Sequence, residues 1–128
     1  MPMQDLFRAH IAKLVTGEGV AGDYFNEANS YIGVGNGGGA IDSSHTDLQG
    51  ASKLRRAMRA GYPTRTNNVI IYQARFEEAD ANFEWLEGGI FNAETSGLMM
   101  NRFLDNQGTK PNDEIWDYEV TVTIDHPA

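Results

Sequence analysis

The chain gathers chemistry-bearing side chains in a few short stretches. Ser43-Ser44-His45-Thr46-Asp47 puts hydroxyls, an imidazole and a carboxylate side by side. A nucleophilic triad needs the base held in space between nucleophile and orienting acid. Sequence neighbours in a polar loop rarely reach that geometry, and no oxyanion-hole sequence accompanies these. Asp42, His45 and Asp47 also offer oxygen and imidazole donors to a divalent ion. The plainer reading of Asp47 is a cap, its carboxylate accepting local backbone N–H groups. Gly33-x-Gly35-x-x-Gly38 has the spelling of a dinucleotide fingerprint, whose pyrophosphate rests on the N-terminus of a helix. No helix opens at Gly38. The zone where a ribose-binding acid belongs reads Met58-Arg59-Ala60. A glycine-rich surface loop is the expectation.

Glu77, Glu78, Asp80, Glu84 and Glu87 supply carboxylates for general acid–base work. A glycosidase pair requires two of them about 5–10 Å apart across a sugar cleft, and nothing in the pattern announces a cleft, so a solvated face is expected. The three histidines are scattered and lack metal-ligand spacing. His10 should be packed or capped, and His126 should fray near the end of the chain. We therefore expect no catalytic residue, no cofactor and no metal.

Charge is unevenly placed. The 128 residues hold 18 acids and 10 bases, a formal charge of −8. Residues 40–68 hold five bases, Lys53, Arg55, Arg56, Arg59 and Arg65, against two acids; residues 77–94 hold six acids and no base. Such polarity lets copies or partners dock positive on negative. The basic set, with Glu77, Glu78, Asp80, Glu84 and Glu87, forms the candidate interface. The acid surplus and the lack of aromatics among the bases argue against nucleic acid. With no cysteine there is no disulfide framework, zinc ribbon or thiol nucleophile.

The elements that must position these residues read as mainly β with flanking helices. Phe7, Ile11, Leu14 and Val15 recur at helical spacing, an amphipathic N-terminal helix ending at Gly17. Ala51 to Ala60 is rich in helix formers, with Leu54, Ala57 and Met58 on one face, and predicts a second, basic helix closed by Gly61-Tyr62-Pro63. Ser30–Gly35, Val69–Phe76, Ala81–Leu86, Leu98–Leu104 and Trp116–Ile124 predict strands. The last alternates most clearly, with Trp116, Tyr118, Val120, Val122 and Ile124 on one side. Turns are expected at Glu94–Gly97 and Asp105–Gly108, and a bulge or tight turn at Gly88-Gly89. These strands fit a single antiparallel sandwich-like domain spanning residues 1–128. Its core would hold Phe7, Ile11, Leu14, Phe83, Trp85, Phe91, Trp116, Tyr118, Val120 and Val122. The N-terminus lacks the uninterrupted apolar stretch of a signal peptide. No run approaches the roughly 18 apolar residues of a membrane span.

The order of short motifs carries more than any one of them. Tyr31-Ile32-Gly33-Val34-Gly35-Asn36-Gly37 is followed by Thr46-Asp47-Leu48-Gln49-Gly50 and Gly61-Tyr62-Pro63. Then come Ala81-Asn82-Phe83-Glu84-Trp85-Leu86-Glu87, Gly89-Ile90-Phe91-Asn92-Ala93 and Ser96-Gly97-Leu98-Met99-Met100-Asn101-Arg102, and last Gly108-Thr109-Lys110 and Trp116. This order resembles a family of small virion structural proteins of tailed bacteriophages. A weaker similarity reaches the first domain of tail-collar fibre proteins. The resemblance implies a non-enzymatic, β-rich building block of the particle, made in the bacterial host cytoplasm and located in the virion. Its partners would be other virion proteins, first the major capsid protein, and further copies of itself. The leading expectation is a capsid decoration (cement) protein. A tail, baseplate or fibre-attachment protein comes second, and a small hydrolase or carbohydrate-binding module built on the Asp42/His45/Asp47 loop third.

Overall fold

The computed structural model describes residues 3–125, so the expectation for His126 lies outside the described residues. One helix, α1 (Asp5–Val15), and a 3₁₀ turn at Ala21–Asp23 precede seven strands. These are β1 (Tyr31–Gly35), β2 (Lys53–Ala57), β3 (Thr64–Thr66), β4 (Val69–Phe76), β5 (Glu84–Phe91), β6 (Met99–Thr109) and β7 (Trp116–Thr123). They form two antiparallel sheets, ordered β2-β1-β5-β6 and β3-β4-β7. The fold is mainly β, as the strand patterning predicts.

One apolar cluster draws on both sheets. Ile32, Val34, Trp85 and Ile90 come from the first, and Tyr72, Ala74, Phe76, Val120 and Val122 from the second. Trp85 sits at its centre. Its ring meets Phe76, Trp116 and Tyr118 edge-to-face at 4.8, 4.9 and 5.5 Å, a geometry that aligns positive ring edges with negative faces. Its Nε1 donates to Ala81 O at 2.9 Å, so burial leaves no orphan donor. Phe83, Trp116, Tyr118 and Ile11 pack half-buried against the same cluster, while Phe91 joins Leu48 and Met99 in a second one. Leu14, placed in the core by its spacing, belongs to neither cluster. On α1 the buried residues are Phe7 and His10, both set edge-on to Phe25. Val15, the last residue of the helix, is 81% exposed.

The expected basic helix at 51–60 is a strand. Lys53–Ala57 pairs with β1 from Gly35↔Lys53 to Tyr31↔Ala57. The chain then crosses to the other sheet, Met58 bridging Ala74 and Arg59 N donating to Gln73 O at 2.9 Å. Leu54 and Met58, four apart, share a face in a helix and in a strand alike. Arg56 between them hides the period of two. The Asp105–Gly108 turn is also absent, because β6 runs through it and Gly108 pairs with Trp85. Asn106 Oδ1 accepts from Gly108 N at 3.0 Å, and Gly108 has φ +81°, a left-handed kink kept inside the strand. Gly88 and Gly89 lie within β5 rather than between strands. A Cβ at Gly88 would come 2.7 Å from the Phe103 ring, and one at Gly89 2.6 Å from Asn101 O.

Candidate functional site

Two of the most deeply buried charged groups lie on the outer face of the four-stranded sheet. β5 has a register irregularity between Trp85 and Glu87. A regular strand would send both side chains to one face; here Trp85 enters the aromatic cluster and Glu87 points outward, beneath segment 36–50. Glu87 and Arg102 are 1% and 0% exposed. Glu87 Oε2 accepts from Arg102 Nη2 at 2.7 Å and Nε at 2.8 Å. Gln49 N and Gly50 N donate to the two carboxylate oxygens at 3.1 and 2.9 Å. Arg102 Nη2 also donates to Gly37 O, and Nη1 donates to Gly39 O and Ala40 O, at 3.1–3.2 Å. All five guanidinium N–H groups thus have an acceptor, which a buried arginine requires.

The glycine fingerprint acquires its meaning here. A Cβ at Gly35 would stand 2.5 Å from Glu87 Oε1, and one at Gly37 2.5 Å from Gly50 N. The glycines let the loop close over the ion pair. Their run cradles a cation with carbonyl oxygens, and the cation belongs to the chain itself. The surface loop expected at 36–39 is the lid of a buried polar node. A second node lies at Lys110, 1% exposed. Its Nζ donates to Glu77 O at 2.7 Å, Glu78 O at 3.1 Å and Pro111 O at 3.4 Å, while its backbone N donates to Phe83 O.

The candidate interface residues separate into groups. Glu87 is sealed inside and presents nothing to a partner surface. Arg55 is half sealed: its guanidinium lies 3.6 Å over the Phe91 ring, and Nη1 donates to Ala93 O and Ser96 O at 2.9 Å. Burial lowers its pKa, partly offset by Asp47. Lys53 and Arg55 reach Asp47 at 3.0 and 3.4 Å, Arg56 reaches Asp80 at 3.3 Å, and Arg59 reaches Asp117 at 3.2 Å. Much of the charge split read along the sequence is therefore paired within the fold. Arg65 donates to Asn67 O, and Glu77, Glu78 and Glu84 stand exposed.

The Asp42/His45/Asp47 loop does not converge. Asp42 Oδ1 accepts from Ser44 N and Oγ at 2.9 and 2.7 Å, bonds that hold its carboxyl below the usual range. Burial raises the Asp47 carboxyl, but the Lys53 hydrogen bond, the Leu48 N–H and both cations outweigh it, and the net shift is downward. Among the described residues no group of three or more His, Asp or Glu side chains is placed to hold a metal ion. No described helix is long and apolar enough to cross a membrane. His10 is buried, its Nε2 2.7 Å from Asp23 O. Open clefts mark the surface. One of about 370 Å³ lies between Asp47, Lys53 and Arg55 and the 94–96 turn. Another, of about 310 Å³, lies beside Gln107, Ile115 and Trp116.

Sequence reasoning missed Arg102 and Lys110. The available signal was a lone cation inside the apolar Leu98–Leu104 run, since a charge in a buried strand needs a partner. The chain matches no family model, no curated protein and no solved structure with which it was compared.

Proposed function

We propose that the chain is a structural protein of a tailed-phage virion, a decoration subunit that binds the major capsid protein lattice and stabilises the head. One observation carries the reading. The stretches whose order resembles small virion structural proteins are the ones that build the frame. Tyr31–Gly37 and Thr46–Gly50 enclose Glu87. Ala81–Glu87 supplies Trp85 and the acid of the buried pair. Gly108-Thr109-Lys110 ties β6 to the start of β5, and Trp116 packs on Trp85. That these stretches serve the frame supports a role in which partners meet the shape of the fold. Bound to the folded lattice and not to its dissociated subunits, such a subunit stabilises the lattice by mass action.

The reading is tested by mixing purified protein with expanded heads that lack it. Saturable binding at a fixed ratio to the capsid protein, together with a raised temperature of head disruption, is expected. Binding to isolated tails and none to heads would replace the decoration role with a tail one.

A further inference from the structure

The two sheets leave four strand edges, and three of them are blunted. β2 carries Lys53, Arg55 and Arg56 and then crosses to pair with β4. β3 has three residues. β6 is broken by two register irregularities against β5 and by the left-handed Gly108. Short edges, cations and bulges are the usual devices that stop a sheet from adding a strand. The edge of β7 is eight residues long, has no bulge and carries no cation, and its two acids are engaged on the β4 side. Its eight residues pair with β4 in unbroken register from Val69↔Thr123 to Phe76↔Trp116, without glycine or proline. Its acids lean back over β4: Asp117 is held by Arg75 at 2.8 Å and Glu119 by Gln73 at 3.0 Å. Among the described residues no strand pairs with its free side, and Ile124 and Ile115, which flank its two ends, are 50% and 47% exposed; on the inner face Tyr118 Oη donates to Asp105 of β6 at 2.6 Å.

We infer that β7 pairs antiparallel with β7 of a second copy, centred on Val120, to make one continuous six-stranded sheet. Residues an even number apart share a face, so this register keeps both apolar faces on the same side. Val120 meets Val120, Tyr118 meets Val122, and Trp116 meets the exposed Ile124. On the outer face Glu119 meets Thr121 and Asp117 meets Thr123, so no like charges stand opposite. Centring on Glu119 would set that carboxylate against itself, a destabilising pair. Centring on Thr121 would carry Trp116 past Ile124 and shorten the ladder. A second copy is the occupant because the strand is complementary to itself in one register. The inference stands on the edge alone, so a monomer would leave the capsid-binding proposal intact and head binding by a monomer would leave this one refuted.

Sedimentation equilibrium on the full chain tests it, with circular dichroism and thermal unfolding as checks on the fold. The wild type should show a monomer–dimer equilibrium. Thr121→Glu sets a new carboxylate opposite Glu119 twice per dimer and should weaken association about tenfold with little change in unfolding temperature. Adding Glu119→Lys to Thr121→Glu turns both contacts into opposite-charge pairs and should restore association. A wild type that stays monomeric at its highest soluble concentration overturns the inference, as does a dimer indifferent to Thr121→Glu. Uptake of an extended segment of another virion protein by a chain that does not self-associate overturns it too.

Discussion

Strands β2 and β7 exchange the roles their sequences suggest. β2 holds Lys53, Arg55 and Arg56 and reads as a charged outer surface. In the fold its cations face inward obligations: Arg55 stacks on Phe91 and holds two carbonyls of the 93–96 turn, and Arg56 reaches Asp80. β7 alternates like a core strand, and its inward residues do fill the core, yet among the described residues no strand pairs with its outer edge. Charge in a sequence therefore did not mark the available surface. Topology marked it, through which strand ends up last in its sheet. The same lesson holds for the acids, where Glu84 and Glu87, three residues apart, lie one in water and one fully buried.

The largest effect should come from the buried acid. Glu87→Ala leaves Arg102 charged in a sealed site, and breaking such a pair costs about 3–5 kcal/mol; urea unfolding would show it. A loss below about 1 kcal/mol would mean that Glu87 behaves as a surface acid after all. Next comes Arg55→Ala, which removes a cation–π stack and two carbonyl hydrogen bonds. It should destabilise the fold by about 2 kcal/mol, and Arg55→Lys should not recover this, since an ammonium lacks the planar fork. If Arg55 served only a partner, unfolding would be unchanged.

A smaller effect is expected at Asp117. The Arg75 hydrogen bond, with Arg59 adding its charge, holds its carboxyl below the ordinary 3.8. A depressed carboxyl contributes stability that is present above its unfolded pKa and lost as pH falls through the folded one. Asp117→Asn should therefore cost under about 1 kcal/mol at neutral pH, with the difference from wild type shrinking as the pH drops below about 4. A difference that persists at lower pH would assign the effect to shape rather than charge. Smallest is Thr121→Glu, which should change unfolding of the isolated chain by less than about 0.5 kcal/mol. The substitution is a probe of the edge and not of the core.

How far the sequence could be read follows from what each element answers to. β4 and β7 were readable because one face of each is apolar and the other wet, so period two survives in the string. The Glu94–Gly97 turn was readable because it closes on Gly97, which takes a positive φ at no steric cost. β2 was not, since its inward positions Leu54, Arg56 and Met58 include a cation whose partner, Asp80, lies far along the chain. The glycine run was visible, but its ligand was not: Arg102 arrives from β6, more than 60 residues later. The outward turn of its partner Glu87 goes with a register irregularity between β5 and β6 that no local pattern signals.

A cryo-EM map of the intact particle tests the account most directly. It should show the chain seated on the major capsid protein lattice of the head. Density confined to the tail, or no density for the chain in the particle, would contradict it.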